Sequence, residues 1–276
     1  MTQFENQVVI ITGSGRGIGA AAAKQFAAQG AKVVVNDLNE EPARKVARAI
    51  REAGGEALVV AGDVTASNFP EHILNKTIST YGKLNILVNN AGYTWDALVH
   101  KMTDEQWNAI LDVHARTPFR MIRAATPYLR DAAKQELATD KTLENRCIIN
   151  VSSTSGLHGN FGQANYAFAK MGVVGLTKTI AKEWGAFGVR CNTVAFGYID
   201  TRLTRAKEDG ESIAVAGQEV TLGIPEKVRG AMDARAIPLG RSGTAEEAAA
   251  GILLMASPLA SYITGHTLEV TGGMGI

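Results

Sequence analysis

Residues 160–170 read NFGQANYAFAK, with Tyr166 and Lys170 four positions apart and on one face of a predicted helix. A free phenol has a pKa of about 10 and is a reluctant base at neutral pH, although it can give a proton to a reduced carbonyl. An ammonium one helical turn away favours the phenolate, and each unit of pKa lowering corresponds to about 1.4 kcal/mol. The pair can therefore move a proton to or from an oxygen held beside it. Upstream, Ser153 ends the apolar run RCIINVSS. Its hydroxyl can donate to the same oxygen and stabilise charge as it develops, with Ser152 as the competing candidate.

A second constellation, TGSGRGIG, runs from Thr12 to Gly19, directly after an apolar run and at the opening of an alanine-rich segment. Gly13, Gly17 and Gly19 permit a tight turn, a close approach of backbone to phosphate, and close packing of helix on strand. Together with Ser14, Arg16 and Ile18 they offer a pyrophosphate free N–H groups and a positive dipole end. A Gly-rich turn alone is equally a structural feature, but the strand–turn–helix setting and an acid about 20 residues on mark a dinucleotide site. That acid is Asp37, in VVVND. A carboxylate there accepts from both ribose hydroxyls of NAD and repels the extra phosphate of NADP, so NAD is favoured. Arg16 pulls the other way: it either pairs with that phosphate, leaving NADP possible, or is a solvated loop charge. Asp63 and Val64, in GDVT, are candidates for the adenine ring. In NNAG, Asn89 reads as structural or functional, whereas Asn90, Ala91 and Gly92 leave room for a flat ligand. A tyrosine by itself reads as a core aromatic with a bonded hydroxyl. Ser153, Tyr166 and Lys170 following a nucleotide motif read as a catalytic set.

Short β-branched runs near 7–12, 31–37, 56–62, 84–89, 146–152, 189–195 and 266–270 alternate with segments of helical periodicity. The helices are predicted at 17–29, 41–53, 68–81, 104–115, 117–137, 163–185 and 245–256. The runs are nearly continuously apolar, as strands covered on both faces should be. The expected fold class is α/β: one Rossmann-type, doubly wound, parallel seven-stranded sheet with helices on both faces, forming a single dinucleotide-binding and catalytic domain over 1–276. Two stretches break the rhythm: the polar segment 130–146, and 202–243, read as a substrate lid because loops that long are usually functional.

Lys and Arg number 28 against 27 Asp and Glu, with no basic block, so no nucleic-acid or anionic-membrane footprint is expected and a small-molecule partner is the default. Cys147 and Cys191 sit in or beside apolar runs and read as buried reduced thiols. No secretory h-region and no membrane span are evident, which leads to the expectation of a cytoplasmic protein. No His/Cys cluster has metal-ligand spacing, so no metal is expected.

TGSGRGIG, NNAG, INVSS, YAFAK and GYIDT, in this order, resemble the short-chain dehydrogenase/reductase family across essentially the whole chain. Within it, GNFGQANYAFAK is similar to 3-oxoacyl-thioester reductases and to 3-hydroxyacyl-CoA dehydrogenase domains. The resemblance implies hydride transfer between a nicotinamide and a carbonyl or secondary alcohol, on acyl-CoA or acyl carrier protein substrates. It selects Ser153 over Ser152 by spacing to Tyr166, and gives Lys170 the cofactor ribose hydroxyls as a second task. It places Ile199 and Thr201 at the nicotinamide carboxamide. Two positions depart from the family. His114, in LDVHART, stands where an Asn usually relays protons through water; either it relays, with a pH dependence near neutrality, or it bonds backbone. Phe196 replaces a proline, so a fixed φ is lost and an aromatic wall gained. A homotetramer built through 104–137, 163–185 and the last strand is implied as well. Two alternatives stay open: a dehydrogenase of a free secondary alcohol, steroid or cyclic diol, and a noncatalytic nucleotide-binding regulatory protein.

Overall fold

The computed structural model describes residues 2–139, 141–215, 217–226 and 237–275. The expected strands are β1 (Val8–Ile11), β2 (Lys32–Val35), β3 (Glu56–Val59), β4 (Ile86–Asn89), β5 (Arg146–Ser153), β6 (Val189–Phe196) and, last in the chain, β9 (Thr267–Val270). They form one seven-stranded sheet in the order β3-β2-β1-β4-β5-β6-β9, every pair parallel. β1, β4 and β6 are wholly buried; β1 is unbroken Val/Ile, whereas β6 also buries Arg190, Asn192 and Thr193, which donate to the Met255 carbonyl, the Ile263 carbonyl and Thr177 Oγ1 at 2.8 Å each.

On one face lie α1 (Gly17–Ala28), α2 (Glu40–Glu52) and α9 (Ala245–Ala256). Phe26, Val46, Ile50, Ile252 and Met255 bury against the sheet there. In α2 the buried set is Ala43, Val46, Ala47 and Ile50, one helical stripe with Arg and Glu opposite, and each large member contributes about 1.5–3 kcal/mol. The other face carries α3 (Phe69–Tyr81), α4 (Asp104–Leu111), α5 (Thr117–Thr126), α6 (Ala132–Ala138) and α8 (Ala164–Trp184). Ile73, Leu74, Met121, Leu129 and Trp184 fill that side. Thr103 and Thr244 start α4 and α9 with capping boxes completed by Gln106 and Glu247, each hydroxyl accepting from the N3 amide at 3.2 Å.

Where a helix was predicted to run to 115 and resume at 117, the chain instead passes through a π-turn, Asp112–Arg116, in which Thr117 N–H donates to the Asp112 carbonyl. Pro118 is the cause: it has no N–H to return to the His114 carbonyl, so the ladder shifts register there. Pro127 opens a second π-turn, Pro127–Asp131, and the Arg123 carbonyl that it cannot serve accepts from Thr126 Oγ1 at 2.8 Å.

Two elements were not foreseen. A short helix, α7 (Thr154–His158), follows β5, with Ser153 Oγ accepting from Ser155 N at 3.2 Å as its cap. Within the 202–243 segment lies an antiparallel hairpin of β7 (Ser212–Val215) and β8 (Gln218–Thr221). Lys227, Arg229 and Arg235 of that segment, which with Arg202, Arg205 and Lys207 read from the sequence as a solvated loop face or as contacts for an acidic carrier protein or the phosphates of CoA, lie outside the described residues. Both cysteines are free and buried, and burial pushes the Cys147 thiol up to about 11. Among the described residues no helix is long and apolar enough to cross a membrane, and no group of His, Cys, Asp and Glu could hold a metal.

Candidate active site

The sheet order reverses direction between β1 and β4, and the loops at the carboxyl ends of the strands open there into a crevice of about 820 Å³. The Gly-rich loop forms its floor. Gly13 and Gly17 have positive φ, +63° and +51°. A β-carbon on Gly19 would lie 2.4 Å from the Gly13 carbonyl oxygen, so only glycine lets α1 begin this close under the loop. The loop is pinned rather than left to its own entropy. Thr12 Oγ1 accepts from Asn90 N and Ala91 N, both at 3.0 Å, and Asn90 Nδ2 donates to the carbonyls of Thr12 and Gly13 at 2.9 and 3.1 Å. Asn90 was read as leaving room for a ligand; it lines the crevice, but its amide is spent on the loop. Asn89 has the structural role, donating to Asn150 Oδ1 at 2.8 Å.

Asp37 ends up beside this loop because Gly15 leaves space for it: a β-carbon there would sit 2.6 Å from Asp37 Oδ2. Its two oxygens accept from Gly15 N and Asn39 N, each at 3.1 Å. Asp63 Oδ1 accepts from Thr65 N and Oγ1 at 2.8 and 2.7 Å, and Val64 offers its carbonyl to Thr117 at 3.2 Å. The bare backbone floor, a helix start beneath it and a carboxylate at the second strand's end fit a dinucleotide in size and in donor chemistry.

At the other end of the crevice β5 delivers Ser153 and α8 delivers Tyr166 and Lys170. α8 is seated by Asn165, fully buried, whose Nδ2 donates to the carbonyls of Trp95 and Gln106 at 3.2 and 3.1 Å. Ser152 Oγ donates to the Lys170 carbonyl at 2.8 Å and is buried, which leaves Ser153 as the serine facing the crevice beside the phenol. Lys170 Nζ donates to the Val151 carbonyl at 2.7 Å and stands 5.6 Å from the centre of the Tyr166 ring. Burial pushes Tyr166 up to about 12, with the Ser153 hydrogen bond acting downward and the Asp96 carboxylate upward. Burial also brings Lys170 down to about 7. The expected acidification of the phenol by the lysine is therefore outweighed by desolvation, and the phenol keeps its proton.

His114 lies edge-on to Tyr166, ring centres 5.0 Å apart and planes at 87°. Its Nε2 is 2.7 Å from the Tyr93 carbonyl, and because a carbonyl only accepts, this nitrogen carries the proton. Nδ1 is then an acceptor, buried and without a hydrogen-bond partner among the described residues. Burial, then the Lys170 charge, hold the ring well below the ordinary imidazole range, against the pull of the Tyr93 bond. The expected titration near neutrality is thus not what the site produces. The backbone bond foreseen as the alternative exists, but it reaches across to the loop after β4 and not along the helix.

Phe196 closes β6, paired with Ser153 on one side and Val270 on the other, so the sheet ladder fixes the segment that a proline usually stiffens. Ile199 is held through an isolated bridge to Gly243, and its carbonyl accepts from Thr204 Oγ1 at 2.5 Å. Thr201 overhangs the start of α1, its Cγ2 3.7 Å from where a Gly17 β-carbon would be. Of the residues picked from the sequence, Gly13, Arg16, Gly17, Ile18, Gly19, Asp37, Asp63, Val64, Asn90, Ala91, Gly92, His114, Ser153, Tyr166, Lys170, Ile199 and Thr201 all line one crevice. Ser14 does not: it is fully buried, and its hydroxyl donates to the Ile11 carbonyl at 2.8 Å.

Several residues were missed. Asn36 accepts from Gly13 N at 3.2 Å and donates to the carbonyls of Val60 and Gly62, tying the first loop to the third; an amide ending a buried strand was the available signal. Asp96, whose carboxyl burial pushes up, lines the crevice and accepts from Gln163 Nε2 at 2.9 Å. Ile213 lines the crevice from the 202–243 segment, as does Arg202, one of the basic residues named above.

Comparison with known proteins agrees with this geometry. A family model described as enoyl-(acyl carrier protein) reductase matches residues 13–275. The 3-oxoacyl-(acyl-carrier-protein) reductase of Thermotoga maritima is 36% identical over 274 residues, 99% of this chain and 100% of that protein. The enzyme of the same name from Escherichia coli K12 is 36% identical over 271 residues, 98% of each chain. That from Vibrio cholerae is 38% identical over 272 residues, again 98% of each. With the winding, the glycine cradle and the Ser–Tyr–Lys cluster in place, these full-length matches show that the chain belongs to the short-chain dehydrogenase/reductase family of nicotinamide-dependent oxidoreductases.

Proposed function

We propose that the chain reduces 3-oxoacyl thioesters carried on acyl carrier protein or CoA, or oxidises the corresponding 3-hydroxyacyl thioesters. The observation that carries this reading is the convergence of Ser153, Tyr166 and Lys170 at the carboxyl end of β5, beside a cradle suited to a dinucleotide. The relatives named above are all 3-oxoacyl-(acyl-carrier-protein) reductases, which supports the substrate class.

In the reductive direction Ser153 and Tyr166 hold the substrate oxygen, and the still-protonated phenol of Tyr166 gives its proton as that oxygen gains charge. A bound nicotinamide supplies the hydride. Lys170 holds the cofactor ribose and restores the proton to Tyr166. His114 Nδ1, a buried acceptor without a hydrogen-bond partner among the described residues, would receive a hydrogen bond from a water linked to Lys170, giving the relay an imidazole in place of the usual amide. Ile199 and Thr201 hold the carboxamide. Asp63 and Val64 border the adenine. Asp37 selects NAD: its oxygens keep lone pairs for ribose hydroxyls beyond the two backbone bonds, and its charge opposes a 2′-phosphate. Arg16, exposed at the start of α1, is the group through which NADP would be accepted.

Phe119 on α5 and Phe168 and Met171 on α8 are exposed apolar side chains on the helices expected at subunit contacts, which supports a homotetramer. The buried free thiols suit a cytoplasmic setting. Initial-rate reduction of acetoacetyl-CoA with NADH and NADPH side by side, with Tyr166→Phe as control, tests the function. Turnover with NADH that the substitution abolishes is expected. Turnover confined to free alcohols, or nucleotide binding with no turnover, would overturn it.

A further inference from the structure

Arg202 follows Thr201 at the root of the lid and lines the crevice above the Gly-rich loop. Its guanidinium is half-buried and makes no hydrogen bond or ion pair among the described residues. The charges around it are Arg16, Asp37 and Glu211. Neither carboxylate is aimed at it: Asp37 accepts from Gly15 N and Asn39 N, and Glu211 stands 4.0 Å from Arg205. Arg16 is a like charge, also without a hydrogen bond or ion pair among the described residues, and it and burial hold Arg202 below its ordinary value. Two guanidiniums converging on one half-buried mouth repel each other unless an anion lies between them. Arg202 is also fixed by its neighbours: Thr201 N–H donates to Thr204 Oγ1 at 3.0 Å, and the Thr201 methyl faces Gly17 at the start of α1.

We infer that Arg202 is a ligand for a phosphate group of the bound dinucleotide, so that the lid itself grips the cofactor. The inference rests on the reading of the crevice as a dinucleotide site. Both the pyrophosphate and the 2′-phosphate of NADP present the same chemistry to a guanidinium, a forked donor meeting two oxygens. The lid that carries Arg202 also carries Ile213 and Ala214 in the crevice wall, so a phosphate held here steadies the wall of the substrate pocket.

Calorimetric titration of the full chain with ADP-ribose and with adenosine 2′-monophosphate tests this, using the parent, Arg202→Gln and Arg202→Lys, with folding checked by circular dichroism. If the pyrophosphate is the partner, Arg202→Gln weakens ADP-ribose about tenfold and leaves the 2′-monophosphate unchanged; if the 2′-phosphate is, the losses reverse. Arg202→Lys, which keeps the charge without the fork, should fall between. Unchanged affinity of a folded Arg202→Gln protein for both probes overturns the role of Arg202 alone. A parent protein that binds neither probe overturns the dinucleotide reading, and this inference with it.

Discussion

Gly92→Ala puts a methyl group into the imidazole of His114. The added β-carbon would lie 2.1 Å from Cε1, 2.9 Å from Nδ1 and 3.0 Å from Nε2, well inside van der Waals contact. Gly92 has no positive φ, so the requirement for glycine comes from the ring and not from the backbone. The ring has no free direction to retreat. It is 3% exposed, its Nε2 is tied to the Tyr93 carbonyl at 2.7 Å, and it stands T-shaped against the Tyr166 ring with centres 5.0 Å apart. Overpacking of this kind costs about 1–3 kcal/mol, and leaving the Tyr93 carbonyl and Nε2–H unpaired adds about 1–3 kcal/mol. A loss of about 2–6 kcal/mol corresponds to a fall in Tm on the order of 3–10 °C for a chain of this size. Urea denaturation of Gly92→Ala, His114→Ala and the double variant gives the cycle. Because His114→Ala removes the atoms the methyl would strike, the double variant should be more stable than the sum of the single losses by about 1 kcal/mol or more. Turnover of Gly92→Ala should fall as well, since the displaced ring borders the phenol. Additive costs, or a Gly92→Ala protein as stable as the parent, would refute the reasoning.

Lys170→Met should change the pH dependence of stability. The folded value of about 7 lies below the ordinary 10.5, so between those limits the unfolded chain binds the proton and the folded chain does not, and this contribution to stability rises with pH. The variant's advantage over the parent should shrink by as much as about 5 kcal/mol from pH 7 to 10.5, and parallel urea profiles would count against it. Thr12→Val strips the shared acceptor from Asn90 N and Ala91 N in a site 1% exposed, and should cost about 1–3 kcal/mol in urea titrations while weakening nucleotide binding. The two serines should separate cleanly in paired rate and denaturation measurements. Ser153→Ala should lose turnover together with about 1 kcal/mol of stability through the lost α7 cap, whereas Ser152→Ala should lose a similar amount of stability through its bond to the Lys170 carbonyl and keep more of the turnover.

The strands were legible because short apolar runs recur between helical segments, most plainly in β1, where burial on both sides demands an unbroken Val/Ile run; the edge strands β3 and β9 carry exposed Glu56 and Glu269 and were legible by their place in the rhythm. The site was legible where a residue type has few other uses at its place, as with Gly13, Gly17 and Gly19 beside a helix start. What escaped depended on distant partners. Ser14 stands within the glycine motif, yet its hydroxyl finds Ile11, so membership of the motif did not make it a crevice residue. The helical period runs through Asp112–Arg116 undisturbed, and only the missing N–H of Pro118 betrays the π-turn that swings His114 toward Tyr93. Asp96 drew no reading and Arg202 an open one, because nothing local says that the 202–243 segment and the start of α8 will bring them to the crevice.

That enclosure also sets the proton chemistry. A lysine one turn from a tyrosine suggests a stabilised phenolate, as it would for a pair in water. Here both groups lie in a dry crevice, and desolvation drives each toward its neutral form: the phenol up to about 12, the amine down to about 7. A neutral imidazole behind them adds no charge. The set is therefore poised with the proton on Tyr166, which is the state that a developing alkoxide requires. Running the chemistry toward alcohol oxidation means first emptying that phenol; in the proposed mechanism its proton would pass to the buried amine of Lys170 and on toward His114, whose Nδ1 has no hydrogen-bond partner among the described residues. The same burial that favours donation by Tyr166 would thus make the proposed relay the element on which the reverse direction depends.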